Sequence, residues 1–207
     1  FNIIWTAYDN TSPPESLTIR TYYATSGAYV FIAATKESST GIGTYEWTTP
    51  SGWSSKEVRI RVTATDEENN IGTGESASFA IDSISPEITI TSPAANSTFD
   101  AGSSCTINWI ATDEIRLSAE AFTIWYTTNE GASWNYITGK GSLETTHSWS
   151  VPSVSSTLCY ISMEAKDCVG HSRCRTSGKF RIKKVSVPGI YVSWDTGNDS
   201  NAGTIDY

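Results

Sequence analysis

The sequence predicts an all-β protein made of two tandem β-sandwich domains. Residues 105–113, CTINWIATD, alternate apolar and polar side chains with the period of two expected of a strand that buries one face. Residues 1–9, FNIIWTAYD, repeat this pattern, with Trp5 at the position of Trp109. The composition agrees, because 8 Trp and 10 Tyr against 1 Met favour strands and turns over helices.

The repeat continues along the chain and supports two domains. Trp5 and Trp109 are separated by 104 residues, Trp47 and Trp149 by 102. An offset that drifts only at turns indicates one fold used twice. In the first copy the alternating segments predict the following strands in order: 1–9, two strands around a turn in 16–35, 43–50, 57–66 and 75–82.

The second copy contains one strand more than the first. It begins with 87–93, EITITSP, and ends with 180–185, FRIKKV, whereas the first copy has no segment before its strand at residues 1–9. We therefore predict a first domain at 1–84 that lacks strand A, the outer strand that would precede the strand at residues 1–9. A complete domain follows at 85–185, and then an extended segment at 186–207, either a cap of a next domain or a donor strand.

The charge limits the partners that the sequence predicts. The net charge is -8 with 14 Lys plus Arg, so no basic stripe is available for nucleic acid or for an anionic membrane surface. No apolar run is long enough for a membrane helix, and no membrane insertion is expected. Three Asn-x-Ser/Thr sequons, at Asn10, Asn96 and Asn198, agree with secretion.

Several motifs recur in a pattern that resembles the immunoglobulin-like and fibronectin-III-like tandem repeats of prokaryotic surface proteins. They are the strand ends WTAYD and WIATD, the hairpin YTTNEGASW, the strand ends EWTTP and SWSVP, and TATD and EAKD before turns. The likeness covers residues 1–184 and implies immunoglobulin-like β-sandwiches outside the cell. Separately, residues 190–204, IYVSWDTGNDSNAGT, resemble the opening cap of right-handed parallel β-helix domains, which often process or bind polysaccharide.

The four cysteines lie in the second copy and predict disulfides. In an immunoglobulin-like sandwich the strands that begin at Cys105 and Cys159 run side by side on facing sheets, so a bridge between them is plausible. Cys168 and Cys174 flank a turn and are predicted to close it. The alternative is a metal site, in which His171 would join Cys168 and Cys174, but a closed zinc site needs a fourth ligand.

Acidic side chains follow strands in both copies. Asp9 and Asp66 in the first, and Asp113 and Asp167 in the second, are placed at one pole of each domain. They are candidate calcium ligands, since calcium takes six to eight oxygen ligands. We favour turn capping through backbone N–H groups instead. No cofactor is expected, apart from this candidate calcium.

No pattern typical of catalysis is present, and we predict that the protein is not an enzyme. Trp5, Trp47, Trp109 and Trp149 recur and are assigned to the cores. Aromatic residues that do not recur could form a surface for a partner protein or for a sugar: Trp125, Tyr126, Trp134 and Tyr136.

The missing strand motivates the functional hypothesis. An uncovered sheet edge readily pairs with another strand. Either a preceding segment covers it, or the domain tolerates six strands, or the C-terminal segment of another copy is donated to it. In the last case Ile190, Tyr191, Val192 and Trp194 are the contact residues. The prediction is an extracellular or cell-surface structural module, filament subunit or adhesin whose partners are protein, first of all further copies. The alternative is a carbohydrate-binding or spacer module of a β-helix polysaccharide-active protein.

Overall fold

The computed structural model describes residues 1–184 and confirms the all-β fold of two tandem sandwiches. The strands of the first sandwich are β1 (Asn2–Thr6), β2 (Thr18–Ala24), β3 (Val30–Lys36), β4 (Ile42–Glu46), β5 (Ser55–Thr65), β6 (Ile71–Glu75) and β7 (Phe79–Ile81). The strands of the second are β8 (Glu87–Ser92), β9 (Thr98–Asp100), β10 (Ser104–Thr112), β11 (Leu117–Thr127), β12 (Asn135–Lys140), β13 (Thr146–Ser150), β14 (Ser156–Asp167), β15 (Ser172–Thr176) and β16 (Phe180–Lys183).

In the first sandwich a small sheet faces a larger one. Strand β1 pairs antiparallel with β4, while the facing sheet has the order β3-β2-β5-β6, with β7 also on β5. Trp5 is paired with Gly43, and its indole covers that glycine so closely that an added Cβ would lie 2.2 Å from the ring. The indole Nε1 donates to the buried Glu37 carboxylate at 2.5 Å. The polar Nε1 of this buried tryptophan therefore has a hydrogen-bond partner.

The second sandwich has the same plan with both outer strands present. Its smaller sheet has the order β13-β10-β8, and its larger sheet the order β12-β11-β14-β16-β9, with β15 on β14. The inward faces of β10 and β14 fill the core between the sheets. All four recurring tryptophans are buried, which confirms their assignment to the two cores.

The final strand of each copy is split in two, which corrects the prediction of one strand at 75–82. In the first copy β6 pairs with one part of β5 and β7 with another. Between them, the Ser76 amide donates to the Ile60 carbonyl, and the Ile60 amide donates to the Ser76 hydroxyl. Ser177 and Ile161 make the same exchange in the second copy. A serine hydroxyl thus replaces a backbone carbonyl as the acceptor of one hydrogen bond between the strands. The pairing register of the last strand changes at this point.

Within residues 1–184, none of the helical structure is long and apolar enough to cross a membrane.

Candidate functional site

An open groove runs along β1 in the first sandwich. On one edge β1 pairs with β4, and on the other edge it has no partner strand among residues 1–184. Here the edges of the two sheets are separated by a cavity of about 620 Å³, which is bordered by residues 1–8, by β5 and by β6. This is the place predicted to lack strand A.

The second sandwich shows what occupies the corresponding position. Strand β10, the counterpart of β1, pairs with β13 on one edge and with β8 on the other. Strand β8 also packs against β15, the counterpart of β6. Further along, β16 pairs in parallel with β9. The counterpart of β16 in the first sandwich is β7, which has only β5 beside it among the described residues. The groove is therefore the volume that an outer β-strand fills in the other copy.

The groove has an apolar floor and exposed apolar rims. Ile3, Trp5 and Ala7 turn their side chains inward from β1 and the residue after it, and Ile60 lies opposite them on β5. On the rims, Ile4 is 70% exposed and Tyr8 is 71% exposed. Contiguous apolar surface beside unpaired backbone N–H and C=O groups is the combination that binds an extended strand.

Two glycines leave space in the wall of the groove. Gly72 and Gly74 on β6 are paired with Ala64 and Val62, and a Cβ added at either glycine would have no atom within 4 Å. The counterparts on β15 are Arg173 and Arg175, paired with Ala165 and Met163. This difference was missed in the sequence, although aligning the copies at an offset of 101 places each glycine beside its arginine.

In the second sandwich these arginines bind the outer strand. Arg173 Nη1 is 2.5 Å from the Glu87 carboxylate on β8, and Arg175 Nη2 is 3.9 Å from it. The first sandwich has glycines in their place, so these two positions offer no cation to a carboxylate.

The four calcium candidates all cap turns. Asp9 accepts the amides of Thr11 and Ser12 at 2.8 and 2.7 Å, and these bonds lower its pKa to about 2. Asp66 accepts the Asn70 amide at 2.7 Å. In the second copy, Asp113 accepts two backbone amides and Asp167 accepts three. Capping is the role favoured from the sequence.

The junction between the sandwiches gathers ionisable side chains that lie far apart in the sequence. Asp82, Asp167 and His171 each have one potential metal-ligand atom within 4.8 Å of the other two. Asp167 Oδ2 is 2.9 Å from His171 Nδ1. Burial, with the nearby charges of Asp82 and Asp167, raises the pKa of Asp113. Two carboxylates and one imidazole are fewer ligands than calcium takes. Calcium binding stays a prediction. Asp82 was missed from the sequence, and His171 was named there only as a ligand beside Cys168 and Cys174.

All four cysteines have free thiols in the structure. Cys105 and Cys159 are buried in the same core, and burial raises the pKa of both thiols. Their bridge stays a prediction. The pairing of Cys168 with Cys174 is corrected by the register: Cys174 lies opposite Glu164, four residues before Cys168. That places the two Cα atoms about 13 Å apart, beyond the limit of roughly 7 Å for a disulfide.

The aromatic surface is smaller than predicted. Trp125 lies opposite Tyr136 on the outer face of β11 and β12, where Tyr136 is 63% exposed. Trp134 is 40% exposed and covers Gly131. Tyr126 points the other way, with its ring 5.0 Å from that of Trp149 in the core, because successive side chains of a strand alternate between faces. Ile190, Tyr191, Val192 and Trp194 lie outside the described residues.

No protein-family model and no curated protein matches this chain. Similar solved structures include the fibronectin(III)-like modules of Clostridium thermocellum CbhA, with a TM-score of 0.41, 14% identity, and coverage of 88% of this chain and 86% of that one. The chicken CNTN1 FN1–FN3 domains have a TM-score of 0.29 and 14% identity, with coverage of 80% of this chain and 57% of that one. The two tandem V-type regions of VCBP3, a v-region-containing chitin binding protein, have a TM-score of 0.29 and 11% identity, with coverage of 88% of this chain and 92% of that one.

Proposed function

We propose that this chain is an extracellular structural module of a cell-surface or filament-forming protein, joined to its neighbours by strand addition at the β1 groove. The observation that carries the proposal is the groove itself: about 620 Å³ of apolar, open space where the other copy holds an outer strand. Backbone pairing along β1 would supply affinity, and the alternating pockets on its inward face would supply specificity.

A non-enzymatic role agrees with the chemistry of the described residues. The carboxylates at the strand ends are engaged by backbone amides, as at Asp9 and Asp167. The filled core of the second sandwich keeps residues such as Trp109 and Met163 away from solvent. In this proposal the rigid sandwiches hold a fixed spacing, and the joint between modules is a β-strand seated in a groove.

Filling the groove from its own wall tests the proposal. Gly74→Trp places an indole where an added Cβ meets nothing within 4 Å, and the backbone there needs no positive φ. The matched control is Gly74→Ala, which adds one methyl group in the same space. Sedimentation velocity over a concentration series should show assemblies for the parent and the Ala variant and only monomers for the Trp variant. Equal assembly of the Trp variant would contradict the proposal.

A second candidate function, glycan binding by a module of a polysaccharide-active protein, is favoured by the outer face of β11 and β12. Trp125, Trp134 and Tyr136 present aromatic surface there, and sugar rings stack on such faces. Glycan-array binding that is lost in Trp134→Ala but kept in Gly74→Trp would support this role. Absence of binding by the parent chain would contradict it.

A further inference from the structure

We propose that the strand seated in the β1 groove is residues 188–194 of a second copy of this chain, so that copies join head to tail. This inference rests on the strand addition proposed above and names its partner. It commits to one segment, one direction and one register, each of which follows from a comparison with β8.

The segment at 188–194 matches β8 in sequence. Residues 188–194 read PGIYVSW, and β8 with its preceding proline reads PEITITS over 86–92. At an offset of 102 the proline and the two inward apolar positions coincide, in the same range as the offsets of the other repeats. In β8 these positions are Pro86, which is fully buried, Ile88, which is buried, and Ile90, which packs against the core. Their counterparts are Pro188, Ile190 and Val192.

The segment and the groove also match in charge at one position. Glu87 of β8 is bound by Arg173 and Arg175. At the same offset Glu87 corresponds to Gly189, and in the groove the two arginines are replaced by Gly72 and Gly74. The residue on the donated strand and the residues that face it in the groove therefore differ together from their counterparts in the second sandwich. A Glu at the donor position would lie without a cation in the groove, whereas Gly189 leaves nothing unpaired there.

The length of the chain between β16 and the segment limits which groove the segment can reach. Ile182, near the end of β16, is paired with Ser156 at the start of β14. Asp167, eleven residues later on β14, reaches the junction beside Asp82. Eleven strand residues span about 36 Å, whereas the six residues from 184 to 190 span at most about 21 Å. The segment cannot return to the groove of its own chain, so the acceptor is another copy.

The register follows from the pairing of β8 with β10. Ile88 is paired with Ala111, Thr89 with Ile110 and Ile90 with Trp109. Translated to the groove, the donor runs antiparallel to β1. The inward contacts are then Ile190 opposite Ala7 and Val192 opposite Trp5, with Tyr191 opposite Thr6 on the outer face.

The spacing of the donor also fits a continuous array. Strand β8 begins shortly after β7, and residue 188 follows β16 at almost the same spacing: Phe79 precedes Pro86 by seven residues, and Phe180 precedes Pro188 by eight. The first sandwich of the next copy would thus follow the second sandwich of the previous copy as the second follows the first within one chain.

The test uses the full 207-residue chain with Ile190→Asp and Val192→Asp combined. Charges at the two inward donor positions should abolish assembly and leave a 22.5 kDa monomer in sedimentation velocity. Ser193→Asp, a charge at an outward position, is the matched control and should assemble as the parent does. A synthetic peptide of residues 187–194 should bind the double variant and should not bind Gly74→Trp.

The outcomes separate the two proposals. Assembly of the double variant at the parent level, with assembly lost in Gly74→Trp, would overturn the donor assignment and leave strand addition by another segment in place. Assembly that is insensitive to both changes, or a parent chain that stays monomeric and binds no peptide, would overturn both.

Discussion

Strand β8 is the template for a strand in the groove, and Ile88→Ala measures how strongly such a strand is held. Ile88 is 4% exposed, lies opposite Ala111 and belongs to the core of the second sandwich. Removing three carbons from a buried isoleucine costs about 2–5 kcal/mol. Because β8 is an outer strand that can partly close over the space, we expect the lower half of this range, about 2–3 kcal/mol.

The expected loss is large enough for calorimetry. For a domain of roughly 100 residues, each kcal/mol lowers Tm by about 4–8 °C, so the transition of the second sandwich should fall by about 10–20 °C. The transition of the first sandwich should not move. Thr89→Ala, on the outer face of the same strand, should shift Tm by only about 1–3 °C.

A shift in Ile88→Ala no larger than that in Thr89→Ala would refute the reasoning. It would mean that inward side chains on an outer strand contribute little, and the pockets along β1 would then give a donated strand no specificity.

Three further predictions follow from local geometry. Gly43→Ala should destabilise the first sandwich by about 1–3 kcal/mol in a urea titration, because the new methyl group meets a buried indole ring. Gly72→Ala should be close to neutral in the same titration, and equal effects of the two variants would contradict this prediction. The carboxyl group of Asp9 should titrate by NMR near its pKa of about 2 rather than near 3.8; because the folded pKa is lowered, its stabilising contribution is present above pH 3.8 and is lost as the pH falls towards 2. In the native protein Cys168 and Cys174, both exposed, should react with a thiol reagent, and failure of both to react would contradict their assignment as free thiols.

Much of the fold follows from local sequence patterns. Alternation at 1–9 and 105–113, together with the repeat, predicts the two sandwiches and the burial of Trp5 and Trp109. Turn capping by Asp9 is also local, since the groups that it binds are two and three residues away. The edge of β1 that has no partner strand among residues 1–184 could be predicted, because the second copy contains the corresponding strand for comparison.

The errors arise where the structure depends on distant partners. Splitting of the last strand depends on an exchange between Ser76 and Ile60, sixteen residues apart. Asp82 and Asp167, whose carboxylates approach within 4.8 Å, come from opposite sides of the domain junction. Pairing of Cys168 with Cys174 was wrong because a turn in sequence does not fix a register. Tyr126 was assigned to the surface although its parity, shared with Ile124, places it inward.

Cysteine trapping between two differently marked copies tests the central claim most directly. One full-length chain carries Thr6→Cys and the other Tyr191→Cys, both with the exposed Cys168 and Cys174 changed to serine. The proposed register predicts a disulfide-linked heterodimer of about twice the 22.5 kDa chain mass on a non-reducing gel, and much less of it when Ile4→Cys replaces Thr6→Cys. Equal trapping at both positions, or none at either, would contradict a strand from one copy seated in register in the groove of the next.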